Sequence, residues 1–292
     1  MRQLTVGPNG PVFDLPWIVG QERGFFGAEG VDIQIIPRDR VEEGKFTLSE
    51  RPKEMLFDQG KVQIFNACEW GCLRRVEQAS RRGWLIAQRP LLLTMCLAVR
   101  PDIGVEWPQD LAGRPVGVAW ETGGHYMTLK MLEGFLPKSA IQCVHAGQHV
   151  ERLDALLAGR VDAAILPEPY VTAATKQGCR VVAEAVFRGG EIVDDELDVD
   201  TVRGLMRALK RAVGELNADR PAYRRRLLEM ELARGVTYEE VRWDRIAYVD
   251  PKPYTREQFE QAAEWMRRWD MIGDDVAFEE IVKPELAAAV TG

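Results

Sequence analysis

The sequence predicts a two-lobed α/β protein in which each lobe is a doubly wound mixed sheet. Up to residue 185, short apolar runs of strand length alternate with helical stretches, which is typical of parallel βαβ units. The chain has 292 residues, which is long for one hydrophobic core and sufficient for two. From residue 199 onward the strand pattern gives way to helical periodicity, so this part is predicted to be helical.

The first lobe is predicted to begin with four strands and the helices between them. The predicted strands are the apolar runs Leu4–Val6, Val31–Ile36, Val62–Phe65 and Trp84–Ala87. The predicted helices are Leu15–Phe26, Pro52–Gln59 and Trp70–Arg81. The longer apolar run Leu91–Val99 is then predicted to cross into the second lobe.

The second lobe repeats this alternation. Its predicted strands are Val116–Trp120, Ile141–His145, Ala163–Leu166 and Arg180–Ala185. Its predicted helices are Gly123–Phe135, Val150–Leu157 and Glu168–Gln177. A block of this kind is large enough to form a doubly wound domain by itself.

The chain is then predicted to return to the first lobe. Arg188–Leu197 is polar and contains glycine, which indicates a linker. An apolar stripe at helical spacing follows, formed by Val202, Leu205, Met206, Leu209, Val213 and Leu216. Further helices are predicted at Pro221–Arg234 and Thr255–Trp269, the second with Thr255 as N-cap and Gln258 completing a capping box. The predicted boundaries are residues 1–92 for lobe 1, 93–190 for lobe 2 and 191–292 for the return to lobe 1.

Composition and charge exclude several classes of protein. A net charge of -7 disfavours a nucleic-acid partner, because binding phosphates requires a basic face. No apolar run is long enough to span a membrane. The start of the chain has no secretory signal, which predicts a cytoplasmic protein, or a periplasmic or lipid-anchored one if a signal has been removed. Five irregularly spaced cysteines favour free thiols in a reducing compartment.

Four segments together resemble type II periplasmic-binding proteins of the group that binds taurine, aliphatic sulfonates and the thiamine pyrimidine precursor. In chain order these segments are PWIVGQERGFFGAEGVDIQII, DLAGRPVGV, LLAGRVDAAILPEPYV and YTREQFEQAAEWMRRWDMI. The resemblance covers nearly the whole chain. It implies a type II periplasmic-binding-protein-like fold with a ligand cleft between hinge-linked lobes, and an ABC permease as partner if the chain is exported.

One charged stretch departs from that group. RDRVEEGKFTLSERPKEMLFDQGKV stands where such binding proteins have a short glycine-rich connection. A similarly placed segment occurs in hydroxybiphenyl sulfinate desulfinase, a cytoplasmic enzyme on the same fold that uses a cysteine nucleophile. The resemblance therefore permits catalysis without requiring it.

Candidate ligand-binding residues are expected after the strands, because open α/β sheets bind ligands at the carboxyl ends of their strands. After the first strand, Phe13 could stack on a planar ligand and Asp14 could cap the helix or hold a cation. Ordinary turn and N-cap chemistry is the better explanation for Asp14 and an equally good one for Phe13. After the third strand, Asn66 is the natural helix N-cap. These three positions are predicted to line the ligand site.

The segment after Asn66 contains a cysteine for which two roles stay open. Cys68 would lie near a helix N-terminus, which lowers the pKa of a thiol. Glu69 adds a carboxylate, and Trp70 offers a face to a ring or a cation. The alternative is that Cys68 is a small buried residue and Trp70 a core anchor.

Two further loops belong to the second lobe. In the first loop, which begins with Glu121, Gly123 lets the backbone approach a ligand closely, and the helix start that follows favours an anionic group. Thr122 and His125 offer side-chain donors. In the second, Glu168 is held between two prolines at a helix start, followed by Tyr170. The alternatives are a glycine-rich turn with a surface histidine and a carboxylate that complements the helix dipole, and a ligand-binding role is favoured for both loops.

Two classes of function remain open. The leading hypothesis is a solute-binding protein that closes its lobes on a small organic, heteroaromatic or zwitterionic ligand. The competing hypothesis is a cytoplasmic lyase or hydrolase with Cys68 as nucleophile and His125 as acid and base. Neither hypothesis needs a cofactor or a metal.

Overall fold

A computed structural model describes residues 1–36, 52–231 and 235–291. Its strands, in chain order, are β1 (Arg2–Val6), β2 (Val31–Ile35), β3 (Ile64–Cys68), β4 (Gly83–Gln88), β5 (Leu91–Val99), β6 (Pro115–Val118), β7 (Gln142–His145), β8 (Ala163–Leu166), β9 (Arg180–Phe187), β10 (Gly189–Asp194), β11 (Ile246–Tyr248) and β12 (Lys252–Pro253). Its α-helices are α1 (Pro11–Glu22), α2 (Phe25–Ala28), α3 (Pro52–Asp58), α4 (Glu69–Gln78), α5 (Gly123–Leu132), α6 (His149–Leu157), α7 (Tyr170–Lys176), α8 (Val199–Ala218), α9 (Arg220–Met230), α10 (Arg256–Arg268), α11 (Phe278–Ile281) and α12 (Pro284–Ala288). No helix of the described ranges is both long and apolar enough to cross a membrane.

The chain divides into two compact units. Unit 1 comprises residues 1–91, 188–223 and 248–292, and unit 2 comprises residues 92–187 and 224–247. Residues 37–51, which make up most of the charged segment that departs from the binding-protein pattern, lie outside the described residues.

The sheet of unit 1 has six strands in the order β12-β4-β10-β3-β1-β2. β1 pairs in parallel with β2 on one side and with β3 on the other, so the chain reverses its winding direction between β1 and β3. Such a switch point is where doubly wound sheets bind ligands. The apolar stripe of α8 packs against these strands, and all six of its predicted members are buried.

The predicted linker over residues 188–197 is wrong, because most of it forms β10 in the centre of this sheet. β10 runs antiparallel to β3 on one side and to β4 on the other, and all six of its residues are buried. Gly189 and Gly190 suggested a linker because paired glycines usually mark a turn. Here they let neighbouring strands approach, since a Cβ on Gly189 would lie 2.3 Å from the backbone oxygen of Ala67.

The sheet of unit 2 has the order β11-β5-β8-β6-β7, with β9 paired to β5. β6 is parallel to both β7 and β8, and the switch point lies between β6 and β8. β5 is antiparallel to β8 and to β9, and it spans the predicted run Leu91–Val99 without change. The α/β class predicted from the sequence is confirmed in both units.

Several predicted element bounds differ from the structure. The predicted helix Leu15–Phe26 is two helices, because the chain turns at Gly24 with a φ of 68°. The third strand begins two residues later than predicted and continues to Cys68. Helix α9 ends at Met230, and residues 232–234 of its predicted end lie outside the described residues. The capping box of Thr255 and Gln258 at the start of α10 is confirmed.

Candidate functional site

A buried polar cluster lies at one edge of the unit 1 sheet. The carboxyl ends of β3 and β4 and the start of β10 meet there, because Gly189 pairs with Cys68 and Gly190 pairs with Gln88, and the segment after β1 reaches the cluster through Asn9. The side chains of this cluster, called the unit 1 polar cluster below, are Asn9, Asp14, Asn66, Arg89 and Glu191. Asp14 and Asn66 are site residues predicted from the sequence, and the other three are not.

Asn66 is not the helix N-cap that the sequence predicts. It lies inside β3, where its side chain is fully buried. Its Oδ1 accepts hydrogen bonds from Nδ2 of Asn9 at 2.6 Å and from Nη1 of Arg89 at 3.5 Å. The strand ends at Cys68, three residues further than predicted, and this places Asn66 in the sheet instead of in the loop.

Asp14 also differs from its predicted role as a cap. Helix α1 begins at Pro11 with Gly10 as N-cap, so Phe13 and Asp14 lie in its first turn. The Oδ2 of Asp14 accepts a hydrogen bond at 2.7 Å from the backbone N–H of Asn9. Asp14 therefore fixes the turn that positions Asn9 against Asn66.

Cys68 is the actual N-cap of α4. Its Sγ accepts a hydrogen bond from the backbone N–H of Gly71 at 3.2 Å. Burial raises the pKa of the thiol, and this effect outweighs the hydrogen bond and the nearby positive charges of Lys53 and Arg89, which lower it. The prediction of a lowered thiol pKa is therefore wrong, because a buried helix N-terminus does not compensate for lost hydration of the thiolate.

Arg89 covers the face of Phe13. Its Cζ lies 4.2 Å from the centre of the Phe13 ring, within cation–π range. Burial lowers the pKa of Arg89 to about 10, while the carboxylates of Glu191 and Asp14 act in the opposite direction. An arginine between two apolar strands, in LIAQRPLLL, is the sequence signal that could have identified it.

Glu69 and Trp70 are engaged elsewhere in unit 1. Oε1 of Glu69 accepts a hydrogen bond at 2.8 Å from the hydroxyl of Tyr254. Trp70 is buried with its ring 5.6 Å from that of Trp265 on α10. These contacts favour the packing role that is the alternative prediction for Trp70.

The loop after β6 is the first half of the candidate site in unit 2. Glu121 has a φ of 57°, a conformation that non-glycine residues adopt rarely and often at functional sites. Its backbone N–H donates to Nδ1 of His125 at 3.3 Å, and the exposed ring of Trp120 packs edge-on against His125 at 4.6 Å. The loop is held in a strained but well-supported conformation.

Helix α5 begins at Gly123, as predicted, without a side-chain cap. The hydroxyl of Thr122 donates to the backbone oxygen of Ala119 at 2.8 Å instead of accepting from the helix. The first N–H groups of a helix have no partner within the helix, so those of Gly123, Gly124 and His125 point out of its start. This geometry favours an anion.

A buried arginine that is not among the predicted site residues lies beside this helix start. Arg152 on α6 is 1% exposed, and its Nη1 would be 2.5 Å from a Cβ at Gly124. Its Nε and Nη1 have no hydrogen-bond partner among the residues that the structure describes. Burial lowers the pKa of Arg152 to about 10. Nothing in HVERLDALL distinguishes it from a solvated arginine, so only the structure reveals it.

Glu168 is held in an internal ion pair. Its Oε1 accepts from Nη1 of Arg245 at 2.9 Å and its Oε2 from the hydroxyl of Thr172 at 2.6 Å. Helix α7 starts two residues later than predicted, at Tyr170, whose hydroxyl donates to Oε2 of Glu231 at 2.8 Å. Each oxygen of Glu168 thus accepts one hydrogen bond, and the ion pair holds Arg245 in place. The ligand-binding role of Glu168 stays a prediction.

No set of three His, Cys, Asp or Glu side chains able to hold a metal converges within the described ranges. No family model matches the sequence, and no curated protein matches it either.

Solved structures resemble this chain over its whole length. The alkanesulfonate-binding protein SsuA from Xanthomonas axonopodis pv. citri, bound to MOPS, has a TM-score of 0.73 at 15% identity and covers 98% of each chain. The periplasmic nitrate-binding protein NrtA from Synechocystis PCC 6803 has a TM-score of 0.72 at 11% identity, covering 100% of this chain and 88% of its own. The desulfurization enzyme DSZB has a TM-score of 0.66 at 16% identity, and the match covers 100% of this chain and 99% of the enzyme chain. The predicted two-lobed periplasmic-binding-protein-like fold is confirmed.

Proposed function

We propose that this chain is a solute-binding protein for a small organic anion, and that unit 2 supplies the anion site at the start of α5. The observation that carries the proposal is the buried Arg152 beside an uncapped helix N-terminus. The helix start has a partial positive charge, and the guanidinium adds a full one in a medium where water does not screen it. Among the described residues, neither Nε nor Nη1 of Arg152 has a hydrogen-bond partner.

The chemistry of the similar structures supports this choice of solute. SsuA is an alkanesulfonate-binding protein and NrtA is a nitrate-binding protein, and both ligands are anions. The proposal implies delivery to an ABC-type permease if the chain is exported, in which case it acts in the periplasm.

The test measures binding of 1-propanesulfonate and nitrate by isothermal titration calorimetry, after native mass spectrometry of the purified protein to detect a molecule that co-purifies. We expect Arg152→Met to weaken binding at least about tenfold, because it removes a short-range positive charge. Arg160→Met is the matched control, since Arg160 is an exposed arginine just after the same helix. Equal affinities of wild type and Arg152→Met, or no binding of either anion, would contradict the proposal.

Cysteine labelling distinguishes the proposed solute-binding protein from a lyase or hydrolase that uses Cys68. Burial raises the thiol pKa of both Cys68 and Cys143, so accessibility decides the order, and we expect N-ethylmaleimide near neutral pH to modify the half-buried Cys143 before the buried Cys68. Peptide mapping by mass spectrometry gives the order of modification. We also expect Cys68→Ala to bind 1-propanesulfonate like the wild type. Rapid labelling of Cys68 that ligand prevents would instead support the lyase or hydrolase hypothesis.

A further inference from the structure

A cavity of about 250 Å³ lies within unit 1, at the end of its sheet opposite to the unit 1 polar cluster. β4 begins there at Gly83, which pairs with Asp194, whereas the polar cluster lies where Gly190 pairs with Gln88. At a strand rise of about 3.3 Å per residue, the two ends of β4 are roughly 16 Å apart. The residues that line this cavity, called the α4 cavity below, all belong to unit 1. The α4 cavity therefore does not depend on the anion site proposed for unit 2.

The charged side chains that line the α4 cavity are mostly arginines. They are Arg75, Arg81, Arg82 and Glu280. Leu85 and Ile192 are buried apolar residues of the same lining. Arg82 and Glu280 are exposed, so solvent and small solutes can reach the cavity. The cavity presents several hydrogen-bond donors and an apolar wall to one small molecule.

Arg75 is fixed in the wall of the cavity. Its side chain is 8% exposed, and its guanidinium lies 4.9 Å from the ring centre of Phe57. Nη2 donates to Oδ1 of Asp58 at 2.8 Å and to the backbone oxygen of Arg81 at 3.0 Å. Nε and Nη1 form no hydrogen bond with the residues that the structure describes. Because the side chain is already held in one geometry, little further entropy is lost when a ligand accepts from it.

Arg81 and Arg82 precede β4 and differ in their partners. Arg81 forms an ion pair with Asp194, whose side chain is buried. The guanidinium of Arg82 lies 4.2 Å from the ring centre of Trp84 and has no carboxylate partner in the part of the chain that the structure describes. Arg82 therefore contributes a positive charge that no carboxylate already compensates.

We propose that the α4 cavity is a second ligand site, which binds the phosphate group of a small hydroxylated phosphate ester. A phosphate group has three terminal oxygens that are strong acceptors, and guanidinium forks match their geometry. Oε2 of Glu280 accepts from the backbone N–H of Ala277 at 2.9 Å, and the carboxylate has further lone pairs for a hydroxyl of the ester. A cavity of about 150 Å³ holds benzene, so the larger α4 cavity has room for the phosphate and several carbon atoms.

Isothermal titration calorimetry with sn-glycerol 3-phosphate tests this site. Every protein in the series carries Arg152→Met, so that the anion site proposed for unit 2 does not contribute. We expect one molecule to bind per chain, and Arg82→Met to weaken binding at least about tenfold, because a charged donor is lost. Arg211→Met is the matched control and should bind like its parent. Arg211 is an exposed arginine of unit 1 whose guanidinium lies 4.2 Å from the ring centre of Phe25.

A second variant changes the space in the cavity and leaves its charges in place. Ala79 lines the cavity at the C-terminal end of α4, so the ring that Ala79→Phe introduces should also weaken binding at least about tenfold. The parent should bind sn-glycerol 3-phosphate about tenfold more tightly than inorganic phosphate, because the hydroxyls of the ester donate to Glu280. Equal affinity for inorganic phosphate would overturn the assignment of an ester.

No binding by the parent, or unchanged affinity in both Arg82→Met and Ala79→Phe, would overturn the inference. Neither result bears on the proposed function, which the titration of 1-propanesulfonate tests at Arg152. Circular dichroism establishes that each variant is folded. If Ala79→Phe is not folded, Arg82→Met decides the outcome, because the side chain that it replaces is exposed.

Discussion

Gly189→Ala is expected to destabilise unit 1 by about 3 kcal/mol, at the upper end of what overpacking costs. The new Cβ would lie 2.3 Å from the backbone oxygen of Ala67 and 2.7 Å from Cζ of Arg89. The first of these atoms belongs to the main chain of β3, so no side-chain rotation relieves the clash. Relief requires β10 to separate from β3, which breaks hydrogen bonds in the centre of the sheet.

Urea unfolding followed by circular dichroism measures this effect. Gly214→Ala is the matched control, because Gly214 lies inside helix α8, where a Cβ would have no neighbouring atom within 4 Å. We expect the control to be stabilised by about 0.5–1 kcal/mol, the usual difference between glycine and alanine in a helix interior. If Gly189→Ala unfolds at the same urea concentration as the wild type, β10 does not lie against β3 as described.

Arg245→Ala is expected to destabilise unit 2 by about 3–5 kcal/mol. The side chain of Glu168 has no exposed surface, and Arg245 is its charged partner at 2.9 Å. Removing the guanidinium leaves a buried carboxylate whose one remaining donor among the described residues is Thr172. A second contact, from Nη2 of Arg245 to Glu184 at 2.7 Å, is lost as well, but Glu184 is half-exposed and water can replace it.

Two further variants separate charge burial from general damage. Arg242→Ala removes an arginine three residues earlier that pairs with Asp244 on the surface, and we expect it to cost less than about 1 kcal/mol. Combining Arg245→Met with Glu168→Gln should recover much of the stability, because no uncompensated charge remains buried. A double variant as unstable as Arg245→Ala would show that packing, rather than the ion pair, dominates at this position.

The sequence predicts the elements whose pattern is local. Leu91–Val99 and Ala163–Leu166 are apolar runs with sharp ends, and both are strands with the predicted bounds. The apolar stripe of α8 and the capping box of α10 also follow from spacing alone. The overall fold follows from four resembling segments in the correct order, because their order restricts the topology.

The candidate site depends on contacts between residues distant in sequence, and the sequence predicts it less well. Asn66 and Cys68 are among the predicted site residues, but their roles differ from the predicted ones because β3 continues through Asn66 to Cys68. Glu191 and Arg89 approach Asn66 only because β10 inserts beside β3. Arg152 becomes notable only because its guanidinium is buried against Gly124.

The insertion of β10 has a consequence for biosynthesis. The strand lies between β3 and β4, yet it is encoded after residues 92–187 of unit 2. On the ribosome, the first 91 residues therefore emerge with the central position of their sheet vacant, and the facing edges of β3 and β4 carry unsatisfied main-chain groups. The nascent chain must keep these edges from pairing with the wrong strand until residue 194 has emerged from the ribosome.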